Sequence, residues 1–165
     1  MASVPNNFAS KPPGHGFRID RRPGLVEARF DSDPAHLAAV RTAIESLCEE
    51  AGFDAKATGE IGLVVNEAVA NIIRHAYGSA SDQPIQMRAE VKENGKESEL
   101  QISLRDWGIG KLPAKLPTGL GKPQPADPMT PGGLGLVCMH NMMDQILFTP
   151  QPRGMLLTMR RKRVP

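Results

Sequence analysis

Apolar residues recur at three- and four-residue steps through residues 60–78, EIGLVVNEAVANIIRHAYG. Ile61, Val65, Ala68, Ile72 and Ala76 fall on one stripe, which predicts a single amphipathic helix. At about 100° per residue, Glu67, Asn71 and His75 lie within roughly 80° of one another, beside that stripe. One edge of a core-docked helix thus carries a carboxylate, an amide and an imidazole in a row. Taken alone, this strip reads as a solvated polar face, as on most surface helices.

The same periodicity predicts a helix running from Pro34 to about Glu50, with Leu37, Val40, Ile44 and Leu47 on one face. Asp33 is its expected N-cap, with proline at the first helical position. Gly52 suits the left-handed residue that ends it, and Asp54 is placed to cap the helix that follows. Strands are expected at 25–30, where Glu27 and Arg29 interrupt Leu25, Ala28 and Phe30. They are also expected at 85–92, where Ile85, Met87, Ala89 and Val91 alternate. Asn94-Gly95 is a strong hairpin signal, and the returning strand, 99–105, delivers the chain to Asp106. Residues 134–143 read as a third helix. Residues 146–148 and 155–160 read as a last hairpin, turning between Pro150 and Gly154. Helices segregate from an antiparallel set of strands. The expected fold is therefore α+β, a two-layer sandwich with helices on one face of a mixed, mostly antiparallel sheet.

Two stretches resist regular structure. Residues 1–23, rich in Pro, Gly, Ser and Asn, are expected to be a flexible arm, leaving 24–165 as the folded domain. Residues 111–131 contain six prolines, which forbid a helix or central strand; so long a loop is functional or disordered. A net charge of +2 gives no reason to invoke nucleic acid or a membrane surface. No apolar run approaches a membrane span, and the N-terminus has no secretory apolar core. A cytoplasmic protein is expected. Cys48 and Cys138 each fall inside a predicted helix and read as reduced core residues, a disulfide remaining open. No Cys/His spacing suggests zinc. The basic run Arg160-Arg161-Lys162-Arg163 reads as a solvated chain end, a partner contact being the alternative.

Two glycine-containing stretches change the meaning of the helix strip. In Arg105-Asp106-Trp107-Gly108-Ile109-Gly110, a carboxylate at a strand end precedes two glycines at alternate positions. Glycine lets the backbone turn and lets a flat ligand approach, and the carboxylate can accept from an exocyclic amine such as that of adenine. A plain turn is the alternative. A dinucleotide fingerprint is excluded, because Pro113 stands where the third glycine would be. In Pro131-Gly132-Gly133-Leu134-Gly135-Leu136, glycines open a helix whose free N–H groups suit phosphate; a flexible loop followed by a helix start is the alternative. There is no Walker A motif, since Gly121-Lys122 is followed by Pro123.

In order, NEAVANIIRHAYG, DWGIG after a strand, a proline-rich loop and GGLGL opening a helix resemble the N-box, G1 box, ATP lid and G2 box of the GHKL (Bergerat-fold) ATPase/kinase superfamily. The wording of the first box is most similar to the anti-sigma serine-kinase branch, the RsbW type. The resemblance spans about residues 25–162. It implies ATP and Mg²⁺ as cofactors, with Asn71 the magnesium ligand and Glu67 the general base. It also implies Asp106 on the adenine amine, and Gly108 and Gly110 shaping the adenine pocket. Gly132, Gly133, Leu134, Gly135 and Leu136 would lie at the phosphates, His75 would border the nucleotide, and residues 111–131 would form the lid. Trp107 reads as packing rather than ligand stacking.

The implied function is a protein serine kinase that phosphorylates a STAS-type anti-anti-sigma protein and, in its other role, silences a sigma factor. The alternative is an ATP-binding, partner-sequestering module that transfers nothing. No phosphoacceptor is evident. The chain offers nothing to build the dimerisation segment of a histidine kinase or the transducer of a gyrase-type ATPase. A homodimer is an analogy with the family and no more.

Overall fold

The alternating stretches assemble into one six-stranded sheet, and the 3.6-residue stretches into a layer of helices on one of its faces. The computed structural model describes residues 8–109 and 133–164. The strands are β1 (Phe17–Arg22), β2 (Leu25–Asp31), β3 (Pro84–Asn94), β4 (Glu97–Asp106), β5 (Gln145–Pro150) and β6 (Met155–Arg163). The helices are α1 (Leu37–Glu50), α2 (Ala55–Asn71) and α3 (Gly133–Met142). The spatial order is β1-β2-β3-β4-β6-β5. Every pairing among the described residues is antiparallel, so the parallel component of the expected mixed sheet does not occur there.

The register explains the core. Directly opposed residues share a face, so Val26, Ala89, Ile102, Met159 and Ile146 form one row across the sheet. Ala28, Met87, Leu104, Leu157 and Phe148 form the next. Both rows pack into the hydrophobic core with Val40, Ile44 and Leu47 of α1 and Ile61, Val65 and Ala68 of α2. A third row, at the sheet's end, runs Phe30, Ile85, Asp106, Met155. It places a carboxylate at a position that faces the helices, which is the structural origin of the site described below.

Local chemistry fixes the element ends. Asp33 accepts from the Ala35 N–H at 2.9 Å above a 3-10 turn, Pro34–His36, that leads into α1. Asp54 accepts from the Ala57 N–H at 2.7 Å and caps α2. Gly52 is left-handed at the end of α1, with φ of 83°. In the β3–β4 hairpin Asn94 pairs with Glu97. The tip is therefore Gly95-Lys96, with Gly95 at positive φ, one residue on from the expected Asn-Gly.

Three expectations are corrected. Residues 17–22, assigned to a flexible arm, form the edge strand β1, pairing from Phe17↔Phe30 to Arg22↔Leu25; the rest of that arm up to residue 7, and residues 111–131, lie outside the described residues. The run at 160–163 is not a free end, because β6 continues through it. Arg161 donates to Glu60 of α2 at 3.0 Å and to the Met142 carbonyl at the end of α3, while Arg160 reaches Gln101 and Gln145. The 60–78 helix is α-helical only to Asn71 and then widens into a π-helical turn, Ile72–Ala76. Cys48 is a free, buried thiol, as expected of a reduced core residue.

Candidate nucleotide site

Helix α2 presents Glu67 and Asn71 one turn apart, both half-buried at the edge of the stripe that packs Val64, Val65, Ala68 and Val69 into the core. The Asn71 amide oxygen accepts from the Arg74 guanidinium at 2.8 Å, in an exposed bond. That oxygen is therefore reachable from solvent and already carries a cationic partner. Sequence reasoning passed over Arg74, although its position one turn beyond Asn71 was legible.

The π-helical turn alters the third member of the strip. Its backbone closes through Tyr77 N–H to the Ile72 carbonyl at 3.1 Å, five residues back. In so wide a turn each residue advances through a smaller angle, so the angular position that an α-helix would give His75 does not carry over. The His75 Nε2 is buried and has no hydrogen-bond partner among the described residues.

Asp106 is 4% exposed. Burial pushes its carboxyl up from 3.8 to about 6, against opposing pulls from the Gly108 and Met155 N–H groups and the Arg105 guanidinium. Its Oδ1 accepts from the Gly108 N–H at 3.0 Å, which sets the turn. A buried carboxyl with spare acceptor capacity is suited to an amine donor. Arg105 donates to the Asp106 carbonyl and stacks 4.5 Å from the centre of the Trp107 ring. Trp107, 1% exposed, is a packing residue in this structure.

The Asp106 turn and the end of α2 are joined without space between them. A Cβ on Gly108 would lie 2.4 Å from the Ala76 carbonyl oxygen and 2.7 Å from the Ala76 Cβ. Glycine at 108 therefore serves first to bring the turn onto the helix end. The Tyr77 hydroxyl accepts from the Trp107 N–H at 2.8 Å and donates to the Pro84 carbonyl. The third element, α3, packs against α2. Its first turn holds Gly133, Leu134, Gly135 and Leu136, whose N–H groups have no intrahelical acceptor. Gly110 and Gly132 lie outside the described residues.

The fold thus gathers Glu67, Asn71, the Asp106 turn and α3 around one helix. Residues 30–161 match the family described as Histidine kinase-like ATPase domain. The chain belongs to that family. The match confirms the superfamily that the motifs resemble, and it leaves β1 and most of β2 outside. Among relatives, the chain is 25% identical over 131 residues to Serine-protein kinase RsbW of Bacillus licheniformis, covering 78% of this chain and 79% of that protein. It is 24% identical over 124 residues to that of Bacillus velezensis, covering 73% and 75%. With that of Oceanobacillus iheyensis it is 23% identical over 133 residues, covering 80% and 83%. Members of an ATPase family use ATP. No cluster of three His, Cys, Asp or Glu exists among the described residues to cage a metal. Asn71 offers a single amide oxygen, from which the Arg74 guanidinium would have to swing away. Such a set fits a magnesium ion whose remaining ligands are phosphate and water. No helix among the described residues is long and apolar enough to cross a membrane.

Proposed function

We propose that this protein is an ATP-dependent protein serine kinase. It phosphorylates a STAS-type anti-anti-sigma protein and, in its other state, binds and silences a sigma factor. The observation that carries the reading is the docking of the Asp106–Gly108 turn on the end of the helix that bears Glu67 and Asn71. Likeness to the RsbW kinases over most of both chains supports the choice of substrate and partners.

In this reading the buried Asp106 carboxylate accepts from the adenine amino group, and Gly108 and Gly110 form the floor beneath the ring. Gly132, Gly133, Leu134, Gly135 and Leu136 offer backbone N–H groups to the phosphates, where the helix dipole favours negative charge. His75 borders the bound nucleotide. Asn71 would hold Mg²⁺ through the amide oxygen that accepts from Arg74 in this structure, and the ion would supply neutralisation of phosphate charge. Glu67, one turn from Asn71 and with no ion pair or hydrogen bond among the described residues, takes the proton of the attacking serine hydroxyl. Positioning of this kind is most of what phosphoryl transfer asks of a protein.

The test is transfer of radiolabelled phosphate from ATP to the serine of a purified STAS-domain partner. Wild type should label it. Glu67→Gln should bind ATP with unchanged affinity and lose transfer by at least 100-fold, the usual range for a general base. ATP binding without transfer to any STAS partner would instead favour a sequestering module. Transfer at full rate by Glu67→Gln would remove Glu67 from the role of base.

A further inference from the structure

Trp107 is held at both of its backbone polar groups, one in each of the two peptide units that flank its Cα. Its N–H donates to the Tyr77 hydroxyl at 2.8 Å, and its carbonyl accepts from Arg153 Nε at 2.9 Å. Arg153 comes from the β5–β6 turn, which is pressed unusually close. A Cβ on Gly154 would lie 2.0 Å from the Asp106 carbonyl oxygen and 2.7 Å from the Trp107 Cα, and its φ is +82°. Tyr77 stands at the end of the π-helical turn, and its hydroxyl also donates to Pro84 at the start of β3. One hydroxyl therefore joins the helix end, the first residue of a central strand and the turn after β4.

The geometry points to Tyr77 and Arg153 as positioning residues for the nucleotide. Holding the peptide before Trp107 and the peptide after it, they fix the Asp106 carboxyl and Gly108 at a set distance from Glu67 and Asn71. The π-helical turn is the device that delivers Tyr77 to this place, since an extra residue in the last turn shifts where the phenol emerges. The contact is made by the hydroxyl and not by ring packing, and Arg153 is an exposed residue on another element. Neither interaction is needed to fill the core. What they restrict is the rotation of the two successive peptide planes that join Asp106 to Gly108 through Trp107, and a preorganised site binds more tightly than a loose one. This assignment rests on the nucleotide-site reading given above.

Calorimetric titration of the full chain with Mg²⁺ and ADP tests it, alongside steady-state transfer with ATP. Tyr77→Phe keeps the ring and removes the hydroxyl; Arg153→Ala removes an exposed side chain and its bond to the Trp107 carbonyl. Each should weaken ADP binding about five- to tenfold, the scale of one lost hydrogen bond. The loss should fall on KM for ATP rather than on kcat. Wild-type affinity in both variants overturns the assignment, as does a lower melting temperature with KM unchanged, which marks a merely structural role. If Tyr77→Phe fails to fold, Arg153→Ala alone decides. Absence of ADP binding by the wild type would refute the nucleotide-site reading itself, and the positioning role with it.

Discussion

Asp106→Asn keeps the outline of a buried side chain and removes its charge. Burial raises this carboxyl from 3.8 to about 6. At ~1.4 kcal/mol per pH unit, keeping it ionised above pH 7 costs the folded state about 3 kcal/mol. Asparagine also loses the acceptor for the Met155 N–H, which returns about 1 kcal/mol. The variant should therefore be more stable by about 2 kcal/mol, or about 4–8 °C in melting temperature for a chain of this length. The folded-state pKa lies above the unfolded one. The group's contribution to stability is thus full below pH 3.8 and lost as pH rises through about 6. The advantage of asparagine should be largest above pH 7 and gone by about pH 4. ATP affinity should fall by about 10- to 100-fold, the scale of a charged acceptor lost. Urea denaturation at pH 7.5 and pH 4, with calorimetry against Mg-ATP at pH 7.5, measures both effects. A variant less stable than wild type at pH 7.5, or equally stabilised at both pH values, would refute the argument from burial. Undiminished ATP affinity would refute the adenine contact.

Other consequences follow from single features. Gly108→Ala puts a methyl 2.4 Å from the Ala76 carbonyl oxygen; forcing the turn off the helix end should lower the unfolding free energy from urea denaturation by about 1–3 kcal/mol, and an unchanged value would show that the turn has room. Asp54→Ala removes the α2 cap bond to Ala57 and should cost about 1 kcal/mol, read as a drop of about 2–4 °C in melting temperature. Burial pushes the Cys48 thiol up to about 12. At pH 8 the native protein should leave Cys48 unalkylated over hours while urea-unfolded chain reacts within minutes, as peptide mapping by mass spectrometry would report.

Much of the fold could be read before the structure because its signals are local. Asp33 and Asp54 cap helices with their own backbone neighbours, Gly52 supplies a left-handed end, and Ile85, Met87 and Ala89 alternate within one strand. What was missed depends on residues far apart in sequence. Strand β1 was hidden by averaging Phe17–Arg22 with the Pro- and Gly-rich residues before it, although Phe17 and Ile19 alternate with Arg18 and Asp20. The π-helical turn leaves no trace in the apolar pattern, since Ile72 and Ala76 keep helical spacing. Its end is held by Tyr77 bonding to Pro84 and Trp107. Arg161 looked like a tail residue because Glu60, its partner, is 101 residues earlier. The site motifs pointed to Glu67, Asn71 and Asp106, and the structure packs the Asp106 turn on the end of the helix that carries the other two. They did not give the burial of Asp106, which follows from its register opposite Ile85 and Met155.

The central claim is that α2, the Asp106 turn and the first turn of α3 close on one nucleotide. Amide hydrogen exchange of the full chain, with and without Mg-ADP, tests it most directly. The account predicts slowed exchange in peptides containing Trp107 and Gly108 and in those spanning 133–136, with the outer strands β1 and β5 unchanged. Protection confined to β1 and β5, or none at saturating nucleotide, would contradict it.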